Sequence, residues 1–491
     1  MTEIVTVASP AETLIVGAGL AGLVTAYRLK QFGIDVDIVE ARDRPGGRIH
    51  SVTNALGTSL TAELGGEAFD SDHVACLTLA QELGLPVVDL WSQADAGAED
   101  LFWFGQQRLD PQAIQAEFTA LLRAQPQDWQ AVQQFLQTGE RTPVIQSLDA
   151  LSIADYLSRH GVSRSLYQAL TTAYTIKYGM DSTRQSCLNL LSYFKSAADC
   201  QSLFGNSDER YYLQGGNAQL PQALFAAVGD RVQLATQLET LAARRDGQYV
   251  ATLRQGQTVR DRSYRRVVLT LPFSVLRHLD LQVDLPPSQR QAIQQLGYST
   301  PTKVISAYRT KVWRQQGLNG LAYTDLAMQH CWEACDSLRS SEIALLVAYP
   351  GGAAGQAITT LDLADLAPMM QADLAQLFPG ICAAQLTPDW LRSQWLTDPF
   401  SAGAYSCYEV GQWSAFYGFE GQRTEHLFFA GEHCSRRYQG YMEGACETAE
   451  QVTLAILQDI GHQPAIAAQQ QRLQHYQQSR QSGFSLTTEG R

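Results

Sequence analysis

Gly17, Gly19 and Gly22, with Glu40 placed 23 residues after the first of them, are the earliest residues of the chain whose types and spacing suit chemistry. Glycine at the first position lets the chain turn sharply. At the second it lets the backbone approach a pyrophosphate, and at the third it lets the next helix pack close to its strand. A helix opening at Leu20 and Ala21 aims unpaired N–H groups and the positive end of its dipole at those phosphates. Glu40 closes the following apolar run, where a carboxylate accepts from ribose hydroxyls and repels a phosphorylated 2′ position. Three glycines alone also make a plain structural turn. The order strand, loop, helix, strand, carboxylate is what points to a dinucleotide site.

Directly after Glu40, the run Ala41-Arg42-Asp43-Arg44-Pro45-Gly46-Gly47-Arg48 puts two adjacent glycines and three arginines in one short loop. Such a loop wraps backbone and guanidinium groups around a bound diphosphate. A dissociable nicotinamide cofactor does not ordinarily need this second clamp, which favours a flavin. Arg48, fixed behind the glycine pair, is the better phosphate or ribityl neighbour, whereas Arg42 and Arg44 read equally well as solvated charges. Gly65 and Gly66, within Glu63-Leu64-Gly65-Gly66-Glu67, make either a turn or a close backbone approach to a flat ring. The second reading is preferred.

The elements that must position these residues follow from periodicity and breakers. Residues 13–16 read as a buried strand, 20–32 as a helix stopped by Gly33, and 35–39 as the second parallel strand. A helix is expected over 72–83. From 91 to 208 the pattern is helical, with apolar faces at 114–122, 129–135 and 151–157 and continuations at 167–180 and 187–193. The dinucleotide-domain pattern resumes at 211–216, with a helix over 220–227 and strands near Val232, at 249–253 and at 266–271, the last ended by Pro272. A largely antiparallel sheet is expected between 302 and 349 and a helix over 362–378. Residues 427–432 return to the core, and 440–445 lead into a helix ending near Leu457. Beyond Pro464 the chain turns polar; a marginal surface helix fits there, but its end has little reason to join the core.

At 491 residues two domains are expected, and 45% apolar with 17% charged residues describes a globular chain. A net charge of -13 argues against a nucleic-acid-binding surface. No apolar leader and no stretch of transmembrane length are read, so the expected compartment is the cytoplasm. The nine cysteines lack repeated close pairs and read as reduced thiols. Cys331 and Cys335, flanked by His330, are not read as a zinc site, because no second compact ligand pair accompanies them.

The opening motif with Glu40, the Gly46-Gly47-Arg48 clamp, Glu63-Leu64-Gly65-Gly66, Gly215-Gly216, Lys303, Gly403-Ala404-Tyr405 and Ala430-Gly431-Glu432 together resemble the flavin amine oxidase family, of monoamine oxidase and L-amino-acid oxidase type, over residues 11–460. Any one pair is weak; their order and spacing carry the resemblance. It implies an α/β fold with a discontinuous Rossmann-like FAD-binding domain (1–88, 211–285 and 396–462) and a second, α+β substrate-binding domain (89–210 and 286–395). The latter is a helical insertion plus a mixed or antiparallel sheet, and 463–491 form a polar tail. The resemblance further implies that Gly431 and Glu432 approach the flavin diphosphate or ribityl region, with Tyr441 and Met442 returning beside the ring.

Catalytic roles are carried over to Lys303, Tyr405 and Tyr441. In related amine oxidases the lysine contacts flavin N5 through water, which would let Lys303 help reduced flavin react with oxygen; otherwise it is a surface lysine on an edge strand. Tyr405 and Tyr441 resemble the two aromatic walls that guide an amine to the flavin; otherwise they are packing residues. Ala404 stands where covalent monoamine oxidases carry a flavin-linked cysteine, which implies non-covalent FAD, and Cys407 is no obvious substitute.

The implied reaction takes a hydride equivalent from the carbon bearing a neutral amine, with oxygen restoring FAD as hydrogen peroxide forms. The imine yields a carbonyl product and ammonia or an amine. Glu67 and Asp70 hold the substrate ammonium, or the distal cation of a polyamine, arginine or lysine, unless they form a solvated turn. The alternative is an L-amino-acid oxidase or a quinone-linked dehydrogenase, in which a cation must meet the α-carboxylate. Spacing assigns that role to none of Arg210, Arg436 or Arg437. A catalytically silent flavin-binding scaffold is the minor alternative, and the sequence sets no oligomeric state.

Overall fold

The computed structural model describes residues 11–93, 97–196, 198–205, 207–340 and 342–484. Residues 1–10 of the first expected domain segment and 485–491 of the expected tail lie outside the described residues.

The architecture is mixed α/β with several sheets. Strand Thr13–Val16 lies in the middle of a five-stranded sheet, between Arg266–Leu269 and Asp37–Val39, with Leu427–Phe429 and Val232–Gln233 at the two edges. All four pairings are parallel. A parallel sheet is covered on both faces, so its strands are apolar throughout and alternate residues enter different cores. Leu14 and Val16 face the core shared with the sheet built around Thr236–Ala243 and Tyr249–Gln255. Ile15, Ile38, Val268 and Phe428 face the helices Leu20–Gln31 and Met442–Ile460.

A seven-stranded sheet forms the other wall of the molecule, in the order Leu391–Arg392, Val304–Tyr308, Ala344–Ala348, His330–Glu333, Leu318–Thr324, Glu99–Phe104, Gln107–Leu109. Its pairings are antiparallel except that Glu99–Phe104 runs parallel to Leu318–Thr324. Helices Pro111–Ala124, Pro126–Thr138, Pro143–Asp149, Ile153–Arg159 and Arg164–Tyr178 follow as a cluster.

Three sequence expectations need correction. The stretch from residue 91 is not helical throughout, because Leu101-Phe102-Trp103-Phe104 forms a strand that turns at Gly105 and Gln106, both at positive φ, into Gln107–Leu109. Tyr211–Leu213 does not rejoin the five-stranded sheet but pairs antiparallel with Val87–Asp89. The tail's helix, Gln463–Ser482, is no marginal surface element: Ala465 and Tyr476 are buried in the core, and polar groups add to the docking. Gln469 donates to the Glu450 carbonyl (3.0 Å), Arg480 pairs with Glu443 (2.8 Å) and Glu447 (2.9 Å), and the Phe484 amide donates to the Ser71 carbonyl (2.7 Å).

One buried carboxyl makes stability depend on pH. Glu420 accepts from the Tyr408 hydroxyl (2.5 Å) and the Gly418 amide (2.7 Å), yet burial pushes its pKa up to about 7. The unfolded value is about 4.3, so between these limits the folded state keeps a proton that the unfolded chain releases. The stabilising contribution is complete below the unfolded value and is lost as pH rises through 7. Glu420→Gln is therefore expected to gain on the wild type as pH rises, by at most about 1.4 kcal/mol per pH unit across that window. Thermal unfolding of both proteins from pH 5 to 8 checks this, and a constant difference would contradict it.

Candidate active site

A cavity of about 860 Å³ runs from the carboxyl ends of the parallel strands to the seven-stranded sheet. That is within the usual range of about 300–1,000 Å³ for a cofactor or substrate pocket. Of the residues singled out from the sequence, Gly17, Gly19, Leu20, Ala21, Glu40, Ala41, Arg42, Gly46, Gly47, Arg48, Gly65, Gly66, Glu67, Asp70, Lys303, Tyr405, Gly431, Glu432, Tyr441 and Met442 all line it. Gly22 does not: a Cβ there would lie 2.0 Å from the Gly17 carbonyl oxygen, so this glycine serves the packing of helix against turn.

At the nucleotide-like end, Gly17 has φ +110° and helix Leu20–Gln31 begins at Gly19 with no side-chain cap. A Cβ at Gly19 would meet nothing within 4 Å, so the uncapped helix start opens onto the cavity. The Glu40 carboxylate is held by the Ala18 amide (2.8 Å) and the Arg42 amide (2.9 Å) at the end of its strand. Each oxygen keeps acceptor capacity for a hydroxyl. These features fit the adenosine half of a dinucleotide.

Several charged groups are committed to protein partners. Arg42 donates to Asp398 and Ser401, both at 2.7 Å, and Arg44 to the carbonyls of Pro45 and Gly47. Neither is simply solvated. Arg48 Nη1 donates to the Ala404 carbonyl and to Glu432 Oε1, each at 2.8 Å. Burial raises the Glu432 pKa, but the Arg48 charge overrides it and holds the carboxyl below its ordinary value. Glu432 also accepts from the Ser406 hydroxyl (2.6 Å) and the Gly440 amide (2.8 Å), tying the arginine clamp to both aromatic segments. The glycine pair has packing duties too: a Cβ on Gly65 would lie 1.9 Å from the Arg48 carbonyl oxygen, and one on Gly66 2.8 Å from Met442 Sδ.

At the other end, Lys303 is 6% exposed and directly precedes strand Val304–Tyr308, which lies between two others, so it is no surface lysine. Its ammonium donates to the carbonyls of Glu63 and Gly65, both 3.0 Å, and to Glu67 Oε2 at 2.6 Å. Burial opposes the charge; the Glu67 carboxylate outweighs it and raises the Lys303 pKa above its ordinary value. Glu67 also accepts from Trp332 Nε1 (3.3 Å) and the Cys335 amide (3.0 Å). It is therefore the counter-ion of Lys303 and not the free acidic anchor expected for a substrate. Asp70, 5% exposed, accepts from the Asp208 and Glu209 amides, which makes it a loop acceptor in place of a solvated turn.

Tyr405 and Tyr441 both reach the cavity. The Tyr405 hydroxyl lies 3.3 Å from that of Tyr349 and donates to the Lys177 carbonyl at 3.1 Å; the Tyr441 hydroxyl lies 3.1 Å from that of Tyr193. Burial pushes both phenols up, so they stay neutral. Sequence reasoning missed Lys177, Glu209, His330, Trp332 and Tyr349, which complete this wall. His330 stacks on Tyr323 at 4.5 Å, and burial lowers its pKa to about 4, so a neutral ring donates Nδ1–H to the Ala322 carbonyl. Arg210, by contrast, pairs with Asp89, and neither Arg436 nor Arg437 lines the cavity. All nine cysteines are free, and the Cys331 thiol donates to the Gly320 carbonyl. Among the described residues no helix is long and apolar enough to cross a membrane.

This arrangement defines an oxidoreductase of the flavin amine oxidase class. Residues 20–457 match the family described as flavin containing amine oxidoreductase, and the chain belongs to it. It is 27% identical over 462 residues to Lysine-specific histone demethylase 1 homolog 2 of Oryza sativa subsp. japonica, covering 89% of this chain but only 55% of that protein. It is 24% identical to Flavin-dependent L-tryptophan oxidase RebO of Lentzea aerocolonigenes, covering 90% of this chain and 97% of the relative. Its fold matches Cyclohexylamine Oxidase from Brevibacterium oxydans IH-35A with a TM-score of 0.79 at 19% identity, over 92% of this chain and 100% of that one.

Proposed function

We propose that the chain is an FAD-dependent amine oxidase acting on CH–NH2 donors, with the cofactor bound non-covalently in a Rossmann-like domain made from 1–88, 211–285 and 396–462. The observation that carries this reading is one continuous cavity joining the glycine turn and Glu40 to Lys303, Tyr405 and Tyr441. When bound, FAD would supply the electron-accepting chemistry for loss of a hydride equivalent from the amine-bearing carbon and its delivery to oxygen as hydrogen peroxide, with water converting the imine to a carbonyl product and ammonia or amine. Oxygen is preferred over a quinone because Lys303 is a fixed, shielded cation beside the Gly65 backbone.

The chain's own residues bind, orient and exclude water. Gly17, Gly19 and the uncapped helix start receive the diphosphate, and Glu40 receives ribose hydroxyls. Gly46, Gly47 and Arg48 close over the ribityl side, held there by Glu432. Ala404 offers no nucleophile for a covalent link, and Cys407 does not line the cavity. Tyr405 and Tyr441 form the amine's approach, where removal from water favours the neutral amine that hydride loss requires. The free thiols fit a reducing, cytoplasmic setting.

The test is purified protein, denatured to release its cofactor and separately mixed with monoamines, polyamines and L-amino acids while peroxide, ammonia and organic product are followed. FAD release with stoichiometric peroxide and ammonia is expected. Protein that neither holds nor takes up FAD would refute the proposal. Tyr405→Ala and Tyr441→Ala are each expected to lower kcat/KM by about 10- to 100-fold through lost positioning. Steady-state rates over the same panel check this, and unchanged values would remove the two-wall reading.

A further inference from the structure

The cavity wall holds a second, largely shielded cation that the proposed chemistry does not use. Lys177 is in the last turn of helix Arg164–Tyr178, which Gly179 ends at φ +60°. Its ammonium lies 5.4 Å over the Tyr441 ring and 5.2 Å over Phe204, while its carbonyl accepts from Tyr405. One residue therefore touches both aromatic walls. The ammonium donates to Ser207 Oγ (3.1 Å) and Glu209 Oε1 (2.9 Å).

The two partners of this ion pair differ in how firmly they are held. The Lys177 side chain is 13% exposed, whereas that of Glu209 is 64% exposed. Glu209 also has φ +43°, a left-handed conformation that a non-glycine residue adopts at a cost. An ammonium shielded to this degree is favoured by a neighbouring anion. In the free protein that anion is a carboxylate on a strained loop residue, whose side chain is open to replacement.

We propose that Lys177 recognises the carboxylate of an α-amino acid substrate, and that Glu209 occupies the carboxylate position until substrate replaces it. This rests on the amine-oxidising reading above and narrows its substrate class. A simple amine carries no carboxylate to replace Glu209, so the Lys177–Glu209 pair would stay closed and contribute nothing to its binding. A zwitterion instead sets its carboxylate on the ammonium and leaves its amino-bearing carbon directed along the tyrosines. Arg210, Arg436 and Arg437 do not compete for the role, since none lines the cavity.

The test uses FAD-loaded protein and matched pairs differing only in the carboxylate: L-phenylalanine with 2-phenylethylamine, L-tryptophan with tryptamine, and L-lysine with cadaverine. The wild type is expected to favour the amino acid of at least one pair, and Lys177→Met to lower that ratio of kcat/KM values by about 10- to 100-fold, the size of a charge-assisted contact. Lys177→Arg restores much of the ratio. Calorimetric titration with 3-phenylpropanoate, which cannot be oxidised as an amine, adds a readout independent of turnover: binding weakens in Lys177→Met and tightens in Glu209→Gln. Amines consumed as well as or better than their amino acids, or a ratio unmoved by Lys177→Met, overturn the inference and leave amine oxidation standing. If no member of any pair is consumed by FAD-loaded protein, both readings fall.

Discussion

Glu432→Ala is expected to destabilise the protein by about 3–5 kcal/mol, the usual cost of stranding a buried charged partner, and to leave it with little bound FAD. Glu432 is 6% exposed and accepts from groups in three separate segments: Arg48, Ser406 and Gly440. Its removal strands the Arg48 guanidinium, which keeps the Ala404 carbonyl but loses its counter-charge. The clamp loop, the segment before Tyr405 and the turn before Tyr441 then lose their common anchor. Glu432→Gln keeps an acceptor of similar shape without the charge, so an intermediate loss is expected. Thermal unfolding with and without FAD, together with a fluorescence titration of FAD, separates the two effects. An alanine variant with wild-type melting temperature and affinity would show that Glu432 does neither job.

The parts of the fold that depend on local pattern were legible in the sequence. Strand Thr13–Val16, helix Leu20–Gln31 and helix Leu363–Leu377 fall close to their expected ranges, because apolar spacing and flanking glycine or proline set their limits. Misread elements depend on distant partners. Leu101-Phe102-Trp103-Phe104 is a strand because Leu318–Thr324 accepts it, although Gly105 was a turn signal within the sequence itself. The terminal helix docks through Gln469, Tyr476 and Arg480, so a polar composition hides a bound element. In the site, glycines and Glu40 announce themselves by spacing, whereas Lys177 looks like any polar residue near a helix end. The return of the chain at Phe204, Ser207 and Glu209, together with the Tyr441 ring, covers it. The ion pair of Glu67 was hidden for the same reason, since its partner Lys303 is 236 residues away.

Lys303→Met is expected to slow the oxygen-consuming half of turnover by about 100- to 1,000-fold, the usual effect of losing one preorganised electrostatic contact, with a smaller effect on the anaerobic half. The three N–H donors of Lys303 are directed at the Glu63 carbonyl, the Gly65 carbonyl and Glu67. A group so committed acts through its fixed charge more than by giving up a proton, and the charge favours negative charge growing on oxygen. The same variant leaves Glu67 buried without its cation, so a loss of roughly 3 kcal/mol in stability is also expected. Lys303→Met combined with Glu67→Gln separates the two roles, because it relieves the stranded carboxylate without replacing the cation. Stability should return in the double variant while the oxygen rate stays low. Stopped-flow mixing under nitrogen and then with oxygen measures each half, and an oxygen rate that recovers with stability would reduce Lys303 to a structural support.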